Sequence, residues 1–374
     1  MQDSIVQIIR SSGLQHPIVA TAPALAALAT RLATLARIGL DTEFLRERTY
    51  RAQLCLVQVA TPDEALCIDP LALADLAPFA QVLAADGVLK VMHASRQDLE
   101  VLLPVAGLPR PVFDTQIAAG LTGLPAQVGY AEAVRRFLGP TLDKSHTRTD
   151  WSRRPLSAEQ LEYALDDVRY LLPLAARLQE ELERLGRLEW LHEELATLAD
   201  LRALTVAPED AWLRLRGLRA LDPARERLAR ALAAWRERLA LEHNRPRGWI
   251  LDDAVLRDIV LQVPRTASAL AEIPQMPPGL VKRRSAELLG CIEGAQVPQP
   301  PPPLPGRQRP DPLRTALIRK LSGISQEAAR ELNLVPEVLA TRRDLEQLAD
   351  GRRDGAPLRG WRRAVLGERL LAAL

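Results

Sequence analysis

Two carboxylates two positions apart open the chemistry of this chain. Asp41 and Glu43 lie in the run IGLDTEF, which reads as a strand. Side chains at i and i+2 of a strand share a face, so both carboxylates point the same way from an otherwise apolar segment. A third carboxylate, Asp98 in HASRQDLE, follows a Val/Leu-rich strand and falls in the first turn of a helix, where the dipole favours negative charge. Tyr163 and Asp167 in EYALDDVRY are i and i+4 on a long helix and share one face, while Asp166 is turned about 100° away. Taken singly, these are an exposed strand end, a helix cap and a solvated helix face. Together, four carboxylates and a phenol suit a hard divalent cation, which takes oxygen ligands and leaves positions for water and phosphate.

The elements that must hold these groups alternate between two periods. Strands are expected at 18–20, 38–44, 54–60, 65–68 and 88–93, and helices at about 24–37, 73–85 and 97–105, a mixed α/β pattern. The apolar stretch 18–29 reads as a strand leading into a helix rather than as a secretory leader, because the residues before it carry little positive charge. A long amphipathic helix is expected from Ser157 to about Leu185, opened by a capping box of Ser157 and Gln160. Helix then dominates to the C terminus. Pro208 breaks the pattern, and the span 298–312 holds eight prolines in fifteen residues, too stiff and too poor in apolar side chains to pack. The expected organisation is an α/β domain over 1–207, a small helical domain over 208–296, a linker over 297–312 and a second small helical domain over 313–374. The two helical domains show similar Leu-rich faces but no strict repeat.

Composition narrows the function classes. The chain has 374 residues, 47% hydrophobic and 26% charged, which excludes a disordered, collagen-like or multi-span membrane protein. Cys55, Cys67 and Cys291 lack C-x-x-C spacing, excluding a disulfide framework or a Cys-rich zinc site and fitting a reducing cytoplasm. The net charge of +2 conceals an asymmetry: residues 1–206 hold 20 Lys+Arg against 26 Asp+Glu, and 207–374 hold 29 against 21. Arginine pairs and triplets such as Lys282/Arg283/Arg284, Arg342/Arg343 and Arg362/Arg363 concentrate in that second half, as expected for a polyanionic partner. Trp190, Trp212, Trp235, Trp249 and Trp361 lie on Leu-rich helical faces and are expected to be core anchors.

The motifs DTEF, HASRQDLE and EYALDDVRYLLP, with RTYRAQLCLVQ, FDTQ and LDKSHTRTDWSRRPL, resemble ribonuclease D, in the tyrosine-bearing subclass of the DEDD 3′-to-5′ exonuclease superfamily. The resemblance covers about residues 18–205. Residues 209–294 look like an HRDC domain, and 307–374 like a second, more divergent one. It implies an α/β ribonuclease H-like exonuclease domain, a mixed sheet with flanking helices, followed by two small all-α HRDC-like domains. It further implies two Mg²⁺ or Mn²⁺ ions held by Asp41, Glu43, Asp98 and Asp167, with Asp41 bridging and Tyr163 orienting the attacking water. The product would be a 5′-mononucleotide taken from the 3′ end.

His93 and Asp98 also satisfy the spacing of the histidine-bearing subclass, but that assignment leaves Tyr163 and Asp167 without a role. Lys144 and Arg148, with Trp151, are candidate substrate contacts, with an ordered loop and a core tryptophan as the plainer reading; Tyr50 and Arg51 carry the same ambiguity. The expected partner is RNA with a free 3′ end, such as transfer-RNA precursors and other structured RNA, acted on by a cytoplasmic protein without a membrane; the sequence does not set the oligomeric state, and a monomer is the default. A DNA 3′-5′ exonuclease and a non-catalytic nucleic-acid-binding protein are the competing readings. RNA over DNA rests on the resemblance.

Overall fold

The computed structural model describes residues 18–142, 149–198, 204, 207–215, 217–218, 221–298 and 311–374. Two compact units result, one of residues 1–45, 54–204 and 310–374, the other of 46–53 and 205–309.

The first unit is built on a six-stranded mixed sheet. Its elements are β1 (Ile18–Val19), α1 (Ala22–Leu32), β2 (Arg37–Leu45), β3 (Gln53–Ala60), β4 (Ala65–Ile68), α2 (Ala77–Ala84), β5 (Leu89–Met92), α3 (Arg96–Ala106), β6 (Val112–Asp114), α4 (Thr115–Leu121), α5 (Tyr130–Leu138), α6 (Ala158–Arg169), α7 (Leu171–Leu185) and α8 (Leu188–Leu198). The strand order is β1-β4-β3-β2-β5-β6. β3 and β4 pair antiparallel, whereas β1/β4, β2/β5 and β5/β6 are parallel. The strands expected from sequence are present, and β6 is an addition, three residues long and too short to give a periodic signal.

The long helix expected over 157–185 is instead two, α6 and α7, separated at Tyr170. Pro173 explains the break: it has no N–H, and its ring excludes the carbonyl of residue 169 from a continuous helix. The capping box of Ser157 and Gln160 is formed at the start of α6. Gly39 in β2 lets α7 lie close, since a Cβ there would stand 3.0 Å from the Ala60 Cβ and 3.3 Å from that of Leu171.

In the second unit a 3₁₀ turn (Pro208–Arg214) precedes α9 (Pro223–Glu242), α10 (Arg247–Ile250), α11 (Asp253–Gln262), α12 (Ala267–Ala271) and α13 (Pro278–Gly294). They enclose a core of Leu228, Leu232, Leu256, Ile259 and Leu288. Segment 46–53 belongs here: the Tyr50 hydroxyl donates to the fully buried Glu237, Arg247 donates to both, and Arg51 N–H donates to Asn244 Oδ1 at 3.0 Å. Tyr50 and Arg51 are therefore tied by these contacts.

The C-terminal helices α14 (Pro312–Glu331), α15 (Pro336–Leu339) and α16 (Arg342–Ala349) depart from the expected third body. Leu321, Leu339, Leu366 and Leu370 share one hydrophobic core with Leu121, Leu174 and Leu191 of the first unit. Trp361 stacks on Trp190 at 4.3 Å, and Glu193 and Glu194 accept its two N–H groups at 2.9 and 2.8 Å. A free-standing module is excluded by that shared core.

These helices also repeat α9–α11 at one constant offset. Asp222 and Asp311 cap 20-residue helices that each begin with proline, Asn244 and Asn333 both adopt positive φ after them, and four-residue helices follow. Asp252 and Thr341 then cap the next helix. Even the capping hydrogen bonds correspond, Arg245 N to Ala240 O and Leu334 N to Ala329 O. Sequence reading missed this repeat because capping and buried positions carry it while the exposed side chains have diverged.

Candidate active site

Three elements bring the five sequence-selected groups together. β2 supplies Asp41 and Glu43 on one face. α3 supplies Asp98 from its first turn, and α6 supplies Tyr163 and Asp167. Electrostatics record the convergence: after burial, Asp98, Asp167 and Glu43 each push the Asp41 carboxyl well above the usual carboxylate range. Burial, then Asp167 and Asp98, raise Glu43 to about 8. Burial raises Asp98 to about 7, against the hydrogen bond from Thr42; burial and the neighbouring Asp166 raise Asp167 to about 7. Tyr163 is pushed up by burial and by Asp167, Glu43 and Asp41, so its phenol stays protonated at neutral pH.

None of the leading influences on Asp41, Glu43 or Asp167 is a basic side chain. Buried like charges without a counter-charge are unfavourable, and oxygen donors left in this state fit a divalent cation. Among the described residues no three Asp, Glu, His or Cys side chains are already drawn into a closed ligand sphere.

The surrounding residues fix these groups. Thr42, buried on β2, donates its hydroxyl to Asp98 Oδ1. Asp114 at the end of β6 accepts from Ala94 N, Ser95 N, Ser95 Oγ, Gln116 N and Ile117 N, at 2.8 to 3.2 Å, and so locks the loop that starts α3. Tyr130 accepts the Tyr170 N–H at 3.0 Å, the donor freed where α6 ends three residues beyond Asp167. Asp166 faces away and pairs with Arg169. Thr42 and Asp114 lie within the DTEF and FDTQ stretches without a role assigned to them there, and Tyr130 lies in no motif; proximity in the fold reveals what the three do.

His93 is held by structural partners on both ring nitrogens, Thr115 Oγ1 at 2.8 Å and the Val128 carbonyl at 3.0 Å. Burial lowers its pKa. It has no free nitrogen to act as a base. Trp151 is corrected as a substrate contact: it is 4% exposed and stacks on Tyr163, with ring centroids 6.2 Å apart, so neither face is open to a base. Arg154 anchors the same loop, donating to both Asp69 oxygens at 2.7 Å and to the Trp151 carbonyl at 2.8 Å. Lys144 and Arg148 lie outside the described residues.

Comparison with known proteins places these features in a family context. Residues 17–183 match the 3′-5′ exonuclease family and residues 225–292 the HRDC domain. The chain is 38% identical over 361 residues to ribonuclease D of Nitrobacter hamburgensis, covering 95% of this chain and 94% of that one. It is 42% identical over 366 residues to ribonuclease D of Jannaschia sp., covering 95% and 94%. The crystal structure of Escherichia coli RNase D, described as an exoribonuclease involved in structured RNA processing, has a TM-score of 0.84 at 32% identity, with 96% of this chain and 99% of that chain covered.

Proposed function

Because the chain belongs to the ribonuclease D family, we propose that Asp41, Glu43, Asp98 and Asp167 hold two Mg²⁺ or Mn²⁺ ions and that Tyr163 orients the attacking water. The chain is a divalent-metal-dependent 3′-5′ exoribonuclease. When bound, the ions supply charge neutralisation at the scissile phosphate and make water a better nucleophile. The protein's own part is positional. Asp41 would be shared between the ions, Glu43 and Asp167 would hold the one on the nucleophile side, and Asp98, fixed by Thr42, would hold the one on the leaving-group side. Tyr163 accepts or donates through its hydroxyl without losing its proton, because a phenol is a poor base at pH 7 and burial raises this one further. Trp151 fixes the Tyr163 ring.

The observation that carries this reading is the convergence of four carboxylates from β2, α3 and α6, Asp98 buried and the other three half-buried, with no basic side chain leading their electrostatics. Within it, the substrate is structured RNA with a free 3′ end, transfer-RNA precursors included, in the cytoplasm, and the working unit is a monomer. Among the described residues no helix is long and apolar enough to cross a membrane. The C-terminal helices 311–372 are a divergent relative of the HRDC module, supported by the constant offset between Asp222 and Asp311 and between Asn244 and Asn333.

The test is parallel digestion of 3′-extended transfer RNA, single-stranded RNA and single-stranded DNA with Mg²⁺ or Mn²⁺. Preferred shortening of the transfer RNA from its 3′ end supports the assignment; preferred DNA degradation contradicts it.

A further inference from the structure

One buried polar side chain in the sheet has no partner. Gln58 lies in β3 among Leu56, Val57, Val59 and Ala60 and is buried with them. Neither its amide nitrogen nor its amide oxygen makes a hydrogen bond among the described residues. An unpaired amide in a sheet interior is unfavourable, so its presence calls for a group that completes its bonds.

The sheet shows where that group lies. β2 and β3 are neighbours joined by residues 46–52, a link too short for a parallel crossover, so they run antiparallel. A Cβ on Gly39 would stand 3.0 Å from the Ala60 Cβ, which sets residues 39 and 60 opposite each other on the face covered by Leu171. Side chains alternate along a strand, so a step of two residues along each sets Asp41 opposite Gln58 on that same face. Directly opposed residues have Cβ atoms about 4.5–5.5 Å apart, within reach of an amide on a carboxylate. The helices bracket the same spot. Leu56 shares a core with Ala164 and Leu165 of α6, and Ala60 shares one with Leu171 of α7, so Gln58 lies beneath the turn of α6 that carries Asp167. On its other side Gln58 pairs with Cys67 of β4, whose thiol is raised by burial and then by Glu43.

We infer that Gln58 is a positioning residue for the metal site, its side-chain N–H donating to the Asp41 carboxylate and its amide oxygen accepting from water there. The inference rests on the metal-holding reading of Asp41 and adds a residue that orients it. An amide suits this place better than a lysine or arginine would. It fixes the carboxylate by a hydrogen bond yet brings no positive charge to compete with the cation for it.

The test uses the full-length chain and follows Mn²⁺ binding by electron paramagnetic resonance of the free ion, beside melting curves of the metal-free protein. Gln58→Leu should weaken Mn²⁺ binding about ten- to a hundredfold. Its metal-free melting temperature should be equal to wild type or higher, because an amide without partners is replaced by an apolar group. Gln58→Met, which keeps the unbranched shape, should behave the same way and serves if leucine does not pack. In an Asp41→Asn background Gln58→Leu should weaken Mn²⁺ binding by less than about twofold, since the amide acts through Asp41. Wild-type Mn²⁺ affinity in both single variants would overturn the inference. Weakened binding in both, together with melting well below wild type, would assign Gln58 to the fold and overturn it too, as would a full effect persisting in the Asp41→Asn background. Failure of the wild-type chain to bind Mn²⁺ would instead overturn the metal-holding reading itself.

Discussion

The Thr42 hydroxyl donates to Asp98 Oδ1, joining β2 to α3 through two buried side chains. A hydrogen bond to a charged group contributes about 1.5–3 kcal/mol, so Thr42→Val, which keeps the shape and removes the donor, should slow cleavage about ten- to a hundredfold. Thr42→Ser should restore most of the rate. Single-turnover cleavage alongside thermal melts reads this, and wild-type kinetics in Thr42→Val would show that Asp98 needs no such support.

Tyr130 and Tyr163 should differ in how their loss appears. Tyr130→Phe removes the acceptor for the Tyr170 N–H at the end of α6, so stability and rate should both fall. Tyr163→Phe removes a hydroxyl at the site and should lower kcat with the melting temperature nearly unchanged. His93→Ala should mainly destabilise, because both ring nitrogens serve structural partners. A His93→Ala protein that melts like wild type but loses far more activity than Tyr163→Phe would reverse the subclass assignment.

Metal-free stability should depend on pH with a defined sign. Glu43 is raised to about 8, and Asp98 and Asp167 to about 7, all above the usual range near 4. Between about pH 4 and pH 8 the folded chain therefore holds more protons at this site than the unfolded chain, and stability conferred by the protonated cluster is lost as pH rises through that window. Asp41→Asn should melt higher than wild type near pH 8 but not near pH 4.5, and added Mg²⁺ should narrow the difference. Equal melting at both pH values would mean that the carboxylates do not repel one another.

A fragment ending near residue 207 should be much less stable than the full chain. It would lose Leu321, Leu339, Leu366 and Leu370, all fully buried in the core shared with Leu121, Leu174 and Leu191. Cutting large apolar contacts out of a core typically costs several kcal/mol, about 2–5 per deleted leucine side chain. Differential scanning calorimetry of the two proteins checks it, and equal melting temperatures would show that 311–374 is dispensable for the fold.

The carboxylate set was legible because Asp41 and Glu43 sit at strand spacing and Tyr163 and Asp167 at helix spacing, and both spacings are local. What fixes them was not, since Thr42, Asp114 and Tyr130 act across 56, 19 and 40 positions of chain respectively. The helix break at Tyr170 was readable from Pro173, yet the amphipathic period continues through it and masked the signal. The placement of 313–374 depended on which surface covers Val338 and Leu339, which no local pattern encodes. Trp249 and Trp361 look alike in sequence, each beside arginines on a helix, and only burial separates the anchor from the exposed ring.

The direction of attack follows from a site that engages a terminal nucleotide. A 3′ phosphate should slow degradation strongly, whereas a 5′ phosphate should matter little. A 5′-labelled strand should yield a ladder shortening from its 3′ end; efficient cleavage of circular RNA would identify an endonuclease instead.

The most direct measurement is single-turnover hydrolysis of 5′-labelled RNA by Asp41→Asn with saturating Mn²⁺, beside its melting curve. The substitution is nearly isosteric and removes one of the four carboxylates proposed to hold the metal, so cleavage should fall by about three orders of magnitude or more while the protein stays folded. Cleavage near the wild-type rate would contradict the assignment of Asp41, Glu43, Asp98 and Asp167 as one metal-holding unit.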